Sequence, residues 1–239
     1  MTTAAKTPVS QSVRGSGYSS IGKKIWMAVT GVTFIGFVAG HLIGNLQIFL
    51  GQEKLNAYAL FLHDLGKLLW IVRGTMALFL VIHVWTGVRL YLQNKSARPI
   101  SYRRMDPVET GLTSRTMIWS GLGIFLYLLY HLLHFTFITT NPEYASLTDA
   151  AGRFDVYSMV ILGFQNYLIS IVYLVAMFAL AFHINHALPS LLQTFGLTRP
   201  SCRTCLKRVG NIAAILFFVG YASMPVAVLL NLISLPGGH

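Results

Sequence analysis

Five long apolar segments restrict this sequence to very few folds. Each is longer than the roughly 20 residues that a helix needs to cross a bilayer at about 1.5 Å per residue. Because lipid cannot satisfy an open strand edge, helices are implied. The sequence therefore predicts an all-α integral membrane protein with five transmembrane helices, the first four forming a bundle. The predicted spans are about 25–50, 68–92, 117–139, 158–195 and 210–233.

The charged residues agree with a membrane protein. Only 10% of the chain is charged, whereas a soluble domain usually has about 25%. Residues 1–20 read as a polar N-terminal tail and 21–239 as one transmembrane domain. No short apolar region with a small-residue cleavage site precedes the first span, so we expect no cleaved signal peptide.

The net charge of +11 would suggest a nucleic-acid partner in a soluble protein, but its placement indicates otherwise. Fourteen of the 18 basic residues lie on one side of an alternating five-span topology. The positive-inside rule then predicts a cytoplasmic N-terminus and an external C-terminus. No nucleic-acid partner is expected. The fourteen are Lys6, Arg14, Lys23, Lys24, Arg89, Lys95, Arg98, Arg103, Arg104, Arg115, Arg199, Arg203, Lys207 and Arg208.

The only two cysteines, Cys202 and Cys205, form a single Cys-x-x-Cys pair. One such pair is half of a typical zinc site, and the sequence contains no second pair. Leu206 follows, so the motif that attaches c-type haem is absent. We expect two free thiols.

Four histidines on four different spans fall at two depths. His41 lies about 16 residues, or roughly 24 Å, from the cytoplasmic end of the first span. His131 lies about 14 residues, or roughly 21 Å, from the cytoplasmic end of the third. His83, which enters from outside, and His183, about 16 residues beyond the Asn166–Tyr167 interface, reach the cytoplasmic half.

These depths predict an outer pair, His41 with His131, and an inner pair, His83 with His183. Histidines on facing helices of a bundle core are axial ligands of haem, so two pairs indicate two haem b groups. A repeated sequence pattern supports the pairing, since Thr30-Gly31 precedes His41 by the same interval as Ser120-Gly121 precedes His131. The alternatives are core histidines bonded across helices and a metal site converging on one centre.

Other polar residues are secondary candidates. His134 and His186 lie one turn beyond proposed ligands, and each can replace its neighbour or bond a propionate or a quinone. Arg89 and Arg73 are candidates for pairing with haem propionates. The alternative is that they are charges at helix ends whose side chains extend to the membrane interface. His63 and Asp64 form a His–carboxylate pair that can take up or release protons at a quinone. The alternative is that they belong to an ordinary polar loop.

With these residues laid out, the chain resembles the cytochrome b membrane subunit of succinate dehydrogenase and fumarate reductase, of the five-helix, di-haem b558 type. The resemblance extends over roughly residues 18–225. Its motifs are SIGKK at 20–24, MAVTG at 27–31, GHLIGN at 40–45, LNAY at 55–58, His83 with Gly87, Gly121 to His131, and His183 to Gly196 with Thr198-x-Pro200.

The resemblance implies a multi-pass anchor in a bacterial-type cytoplasmic membrane, within a respiratory chain. Flavoprotein and iron–sulfur subunits would bind its cytoplasmic face and hold the dicarboxylate site, so this chain would have no catalytic residue of its own. Electrons would pass through two haem b groups, held by the same histidine pairs, to or from quinone, usually menaquinone. One departure is Ala181, where some menaquinol-coupled relatives have Glu, so we do not expect their transmembrane proton route. Competing readings are a di-haem cytochrome of another respiratory dehydrogenase and a haemless anchor or transporter.

Overall fold

The computed structural model describes residues 20–96, 116–197 and 202–237. Within these ranges the regular secondary structure is helical, apart from one isolated bridge between Thr148 and Phe154. Its α-helices are α1 (Ser20–Asn45), α2 (Gln52–Asp64), α3 (Lys67–Ser96), α4 (Met117–His131), α5 (Val156–Gln165), α6 (Tyr167–Thr194) and α7 (Arg203–Leu229). Short 3₁₀ turns cover Leu46–Leu50 and Pro142–Ser146, and a π-turn, Leu132–Thr136, extends α4.

Five of the described helices are long and apolar enough to cross a membrane, which confirms the predicted all-α class with five spans. They are Ile21–Leu50, Lys67–Ser96, Met117–Thr136, Tyr167–Thr194 and Thr204–Leu229. The predicted N-terminal tail, most of the basic connection between the second and third spans, and the Thr198-x-Pro200 motif lie outside the described residues.

The predicted fourth segment, 158–195, is two helices rather than one. Asn166 has an extended backbone (ψ 112°), which separates α5 from α6. Its side chain accepts hydrogen bonds from the backbone N–H groups of Leu168 and Ile169, a typical N-cap. The membrane span therefore begins at Tyr167 rather than near residue 158, at the position where the sequence analysis placed the membrane interface. Pro189 lies inside α6, which continues to Thr194.

The connections after the first and third spans, 51–66 and 137–155, are called the outer connections here because the predicted topology places them outside. They fold against the bundle rather than forming plain loops. Helix α2 lies in the first of them and packs on α5. Ile48, Leu55 and Ile161 are buried together with Val228 of α7 in one apolar cluster. This packing closes one end of the bundle.

The long helices surround a central space. Helix α1 packs against α3 and α6, α4 packs against α6, and α7 lies along the other side of α6. Close approach is visible at Gly210, where an added Cβ would lie 2.5 Å from the carbonyl oxygen of Asn185. In contrast, α3 touches α4 only lightly, and Thr86 is its single buried residue. The first four spans thus leave a gap between them.

Candidate functional site

A cavity of about 2630 Å³ lies between the first four spans, and residues of α5 and α7 also line it. It is larger than the roughly 300–1,000 Å³ that holds one drug-sized ligand, so it has room for more than one large group. Most of its lining is aliphatic and aromatic. All four histidines assigned to the two predicted pairs, His41, His83, His131 and His183, line it.

The outer pair of histidines meets across this cavity. The ring centroids of His41 and His131 lie 6.0 Å apart, with the rings at 85°. Phe37 stacks on the His41 ring at 10°, and Tyr221 of α7 lies on another side of it. The aromatic neighbours limit the directions in which the His41 ring can turn.

The inner pair is built in the same way from the other two helices. The ring centroids of His83 and His183 lie 6.4 Å apart, with the rings at 54°. Each ring also has a hydroxyl beside Nδ1: Thr30 Oγ1 is 2.9 Å from His83, and Ser120 Oγ is 3.2 Å from His183. The structure thus brings together the partners that depth along the helices predicted.

Both ring spacings suit two imidazoles on one metal axis. An imidazole nitrogen binds a first-row metal at about 2.0–2.1 Å, and the ring centroid lies about 1.1 Å behind that nitrogen, so two opposed rings have centroids about 6.3 Å apart. The spacings of the two pairs, 6.0 and 6.4 Å, lie on either side of that value. The residues present therefore fit bis-histidine haem, which needs only two protein ligands.

The two glycines of the repeated pattern, Gly31 and Gly121, also line the cavity. An ideal Cβ at Gly121 would lie 3.5 Å from His183 Cε1, and one at Gly31 would lie 3.9 Å from His83 Cε1, both ordinary contacts. Neighbouring side chains therefore do not require glycine at either position. Each glycine lies beside the inner histidine of another helix, although the sequence relates it to the outer histidine of its own.

His134 is separated from the cavity. A π-turn begins directly after His131 and changes the angular spacing of the next residues. The His134 side chain is fully buried, 3.9 Å from the Phe135 ring by centroids, and its Nδ1 is 2.9 Å from the hydroxyl of Tyr173. Its Nε2 has no hydrogen-bond partner. Between the two candidates on α4, only His131 lines the cavity.

The remaining candidates for binding anionic groups divide in two. His186 and Arg73 line the cavity, so both are available to anionic groups inside it. Arg89 is exposed and outside the lining; its guanidinium lies 5.6 Å over the Trp85 ring. Lys24 and Lys95 also line the cavity, a contribution that the sequence reading missed.

The outer His–Asp pair is a surface feature. His63 Nδ1 lies 3.6 Å from Asp64 Oδ1, with side chains 85% and 66% exposed. Neither residue lines the cavity. Cys202 and Cys205 are free and exposed. In the part of the chain that the structure describes, no three His, Cys, Asp or Glu side chains form a metal cluster.

A polar network joins the outer connections. Asn56 donates to Asp155 Oδ1 at 2.9 Å and to Asp149 Oδ2 at 3.1 Å. Arg153 bridges Asp149 and Glu53. Burial raises the pKa of Asp149, but hydrogen bonds from Arg153, Asn56 and a backbone N–H more than offset this and lower it to about 2.

Sequence reasoning missed several contacts to the histidines. It selected no residue of the fifth span, yet Tyr221 of that helix lies beside His41. It also overlooked Tyr173, whose hydroxyl lies 3.3 Å from His131 Nδ1. The sequence showed Thr30 and Ser120 as part of a repeated pattern, but it did not show that they contact the inner histidines.

The chain was compared with protein families, curated proteins and solved structures. No family model matches the chain, and no curated protein and no solved structure matches it.

Proposed function

We propose that this chain is the di-haem cytochrome b membrane anchor of a succinate:quinone oxidoreductase. One observation carries the proposal: in each of two histidine pairs, the two rings lie next to each other in one apolar cavity, with ring centroids 6.0 and 6.4 Å apart. In this proposal His41 and His131 hold the outer haem, and His83 and His183 the inner. When bound, haem b supplies reversible one-electron transfer at its iron.

The chain's own residues position and insulate this chemistry. Four imidazoles from four helices hold two layers, separated along α1 by the eleven residues from Thr30 to His41, or about 16 Å. The mostly aliphatic and aromatic lining gives this chemistry an apolar environment. Arg73, Lys24 and Lys95 offer positive charge to carboxylates of the bound groups.

The partners are proposed from the sequence resemblance and the charge distribution. Flavoprotein and iron–sulfur subunits would bind the basic cytoplasmic side, with the N-terminus on that side of a bacterial-type membrane. Electrons would pass between the iron–sulfur subunit and menaquinone. His63 and Asp64, adjacent and exposed, are the proposed proton-exchanging groups nearest the outer surface.

The test is a haem count per chain on the purified complex by pyridine haemochrome, with His41→Ala and His83→Ala beside the wild type. We expect two b haems in the wild type and one in each variant. No haem in the wild type would overturn the electron-transfer function. Co-purifying subunits and succinate oxidation by the complex then separate a succinate:quinone oxidoreductase from another respiratory dehydrogenase.

A further inference from the structure

Two hydroxyl residues lie on the helices of the outer histidines but contact the inner ones. Thr30, on α1 with His41, places Oγ1 2.9 Å from His83 Nδ1. Ser120, on α4 with His131, places Oγ 3.2 Å from Nδ1 of the other inner histidine. Both hydroxyl residues come eleven positions before the outer histidine of their helix. Each of these two helices thus contributes a residue to both layers, which lie about 16 Å apart along the helix.

The available protons decide how these contacts are made. Thr30 Oγ1 also lies 2.8 Å from the carbonyl oxygen of Trp26, and Ser120 Oγ lies 3.1 Å from that of Met117. A hydroxyl has one proton, and a carbonyl can only accept. With that proton directed at the carbonyl, the hydroxyl accepts from the Nδ1–H of the histidine. The neutral imidazole then has its lone pair on Nε2.

The outer pair has no matching arrangement. His131 shares the Tyr173 hydroxyl, at 3.3 Å, with His134, which is closer at 2.9 Å. Among the described residues, no side chain or backbone group hydrogen-bonds the ring nitrogens of His41. Aromatic packing by Phe37 limits that ring instead. The two layers therefore differ in what holds their ligands.

We propose that Thr30 and Ser120 are positioning residues of the inner haem site. Each fixes the tautomer and ring orientation of the histidine it contacts, so that Nε2 presents a lone pair to the cavity. A hydrogen bond from Nδ1–H also makes the imidazole a stronger donor, which favours the oxidised metal. The inference rests on the proposed haem function and assigns both residues to the inner layer, although their helices hold the outer ligands.

The experiment is a redox titration of the b haems in the purified complex carrying Thr30→Val or Ser120→Ala. Matched controls are Thr33→Val and Ser223→Ala, because these hydroxyls bond the backbone carbonyls of Val29 and Gly220. Repeating the titration in a His41→Ala background, which retains the inner haem alone, assigns the midpoints to their layers.

We expect two haems per chain in both variants and an upward shift of the inner midpoint, with the outer midpoint and both controls unchanged. Thr30→Ser and Ser120→Thr should restore the wild-type value, which a merely structural defect would not predict. Selective loss of the inner haem, reversed by the same conservative variants, would also support the inference.

Two haems with unmoved midpoints would overturn this inference and leave the proposed function standing. A shift confined to the outer haem would overturn it too. Absence of haem from the wild type would instead overturn the proposed function itself, so the two failures are distinguishable.

Discussion

Asn56 and Asp155, 99 residues apart in sequence, form a buried hydrogen bond of 2.9 Å. The side-chain oxygen of Asn56, Oδ1, also accepts a hydrogen bond from the backbone N–H of Tyr157 at the start of α5. Gln52 donates to the second carboxylate oxygen of Asp155 at 2.7 Å. Helix α2 is thereby joined to α5, which closes the outer end of the bundle.

Replacing Asn56 with Ala should therefore destabilise this outer end. The change removes one hydrogen-bond donor from the buried Asp155 carboxylate and leaves the backbone N–H of Tyr157 without its acceptor, at a cost of about 1–3 kcal/mol. The thermal unfolding midpoint of the purified protein in detergent measures it. Asn141→Ala is the control, because its side chain makes its hydrogen bonds at the surface; an equal loss in both variants would contradict the network.

Acid should weaken the same outer network. Hydrogen bonds hold the pKa of Asp149 at about 2, below its ordinary value of 3.8. Those to Asp155 likewise outweigh burial and lower its pKa. A lowered folded-state pKa stabilises the protein above the unfolded value, and that stability is lost as the pH falls from 3.8 towards 2. Unfolding midpoints measured across this range should fall.

The Asp149→Asn variant tests which group is responsible for this pH dependence. It removes the carboxylate but keeps the size of the side chain. We expect lower stability at neutral pH and a shallower decline in acid than in the wild type. An unchanged slope between pH 3.8 and 2 would contradict the assignment to Asp149.

The two histidines of the third span should behave differently on substitution. We expect His131→Ala to lose one haem and His134→Phe to keep both, because only His131 lines the cavity. A phenyl ring keeps an aromatic group at this position and removes the unpartnered Nε2, while the Tyr173 hydroxyl, which loses His134 Nδ1, keeps its contact with His131 Nδ1. Haem content per chain measures both; haem loss in His134→Phe alone would reverse the ligand assignment.

Adding volume at Gly121 should reduce haem occupancy. The Val side chain would extend into the cavity beside His183, where space is needed for a large planar group. Gly123→Val is the matched control on the same helix, since nothing lies within 4 Å of a Cβ there. We expect haem per chain to fall from two towards one in the first variant only, with both proteins folded.

The sequence by itself determined the fold class and the pairing of histidines by depth. Hydropathy is local, so five spans can be read without tertiary information. The rise of a helix is constant, so residue counts place His41 and His131 in one layer and His83 and His183 in the other.

The tertiary structure decided which neighbours those histidines have. Rotation about each helix axis and close contacts between helices depend on packing, which hydropathy does not encode. Thr30 therefore meets His83 rather than a residue of its own layer, and the π-turn after His131 directs His134 into an aromatic cluster. The bond between Asn56 and Asp155 likewise needs two distant segments to fold onto one another, because no local pattern specifies contacts between residues so far apart.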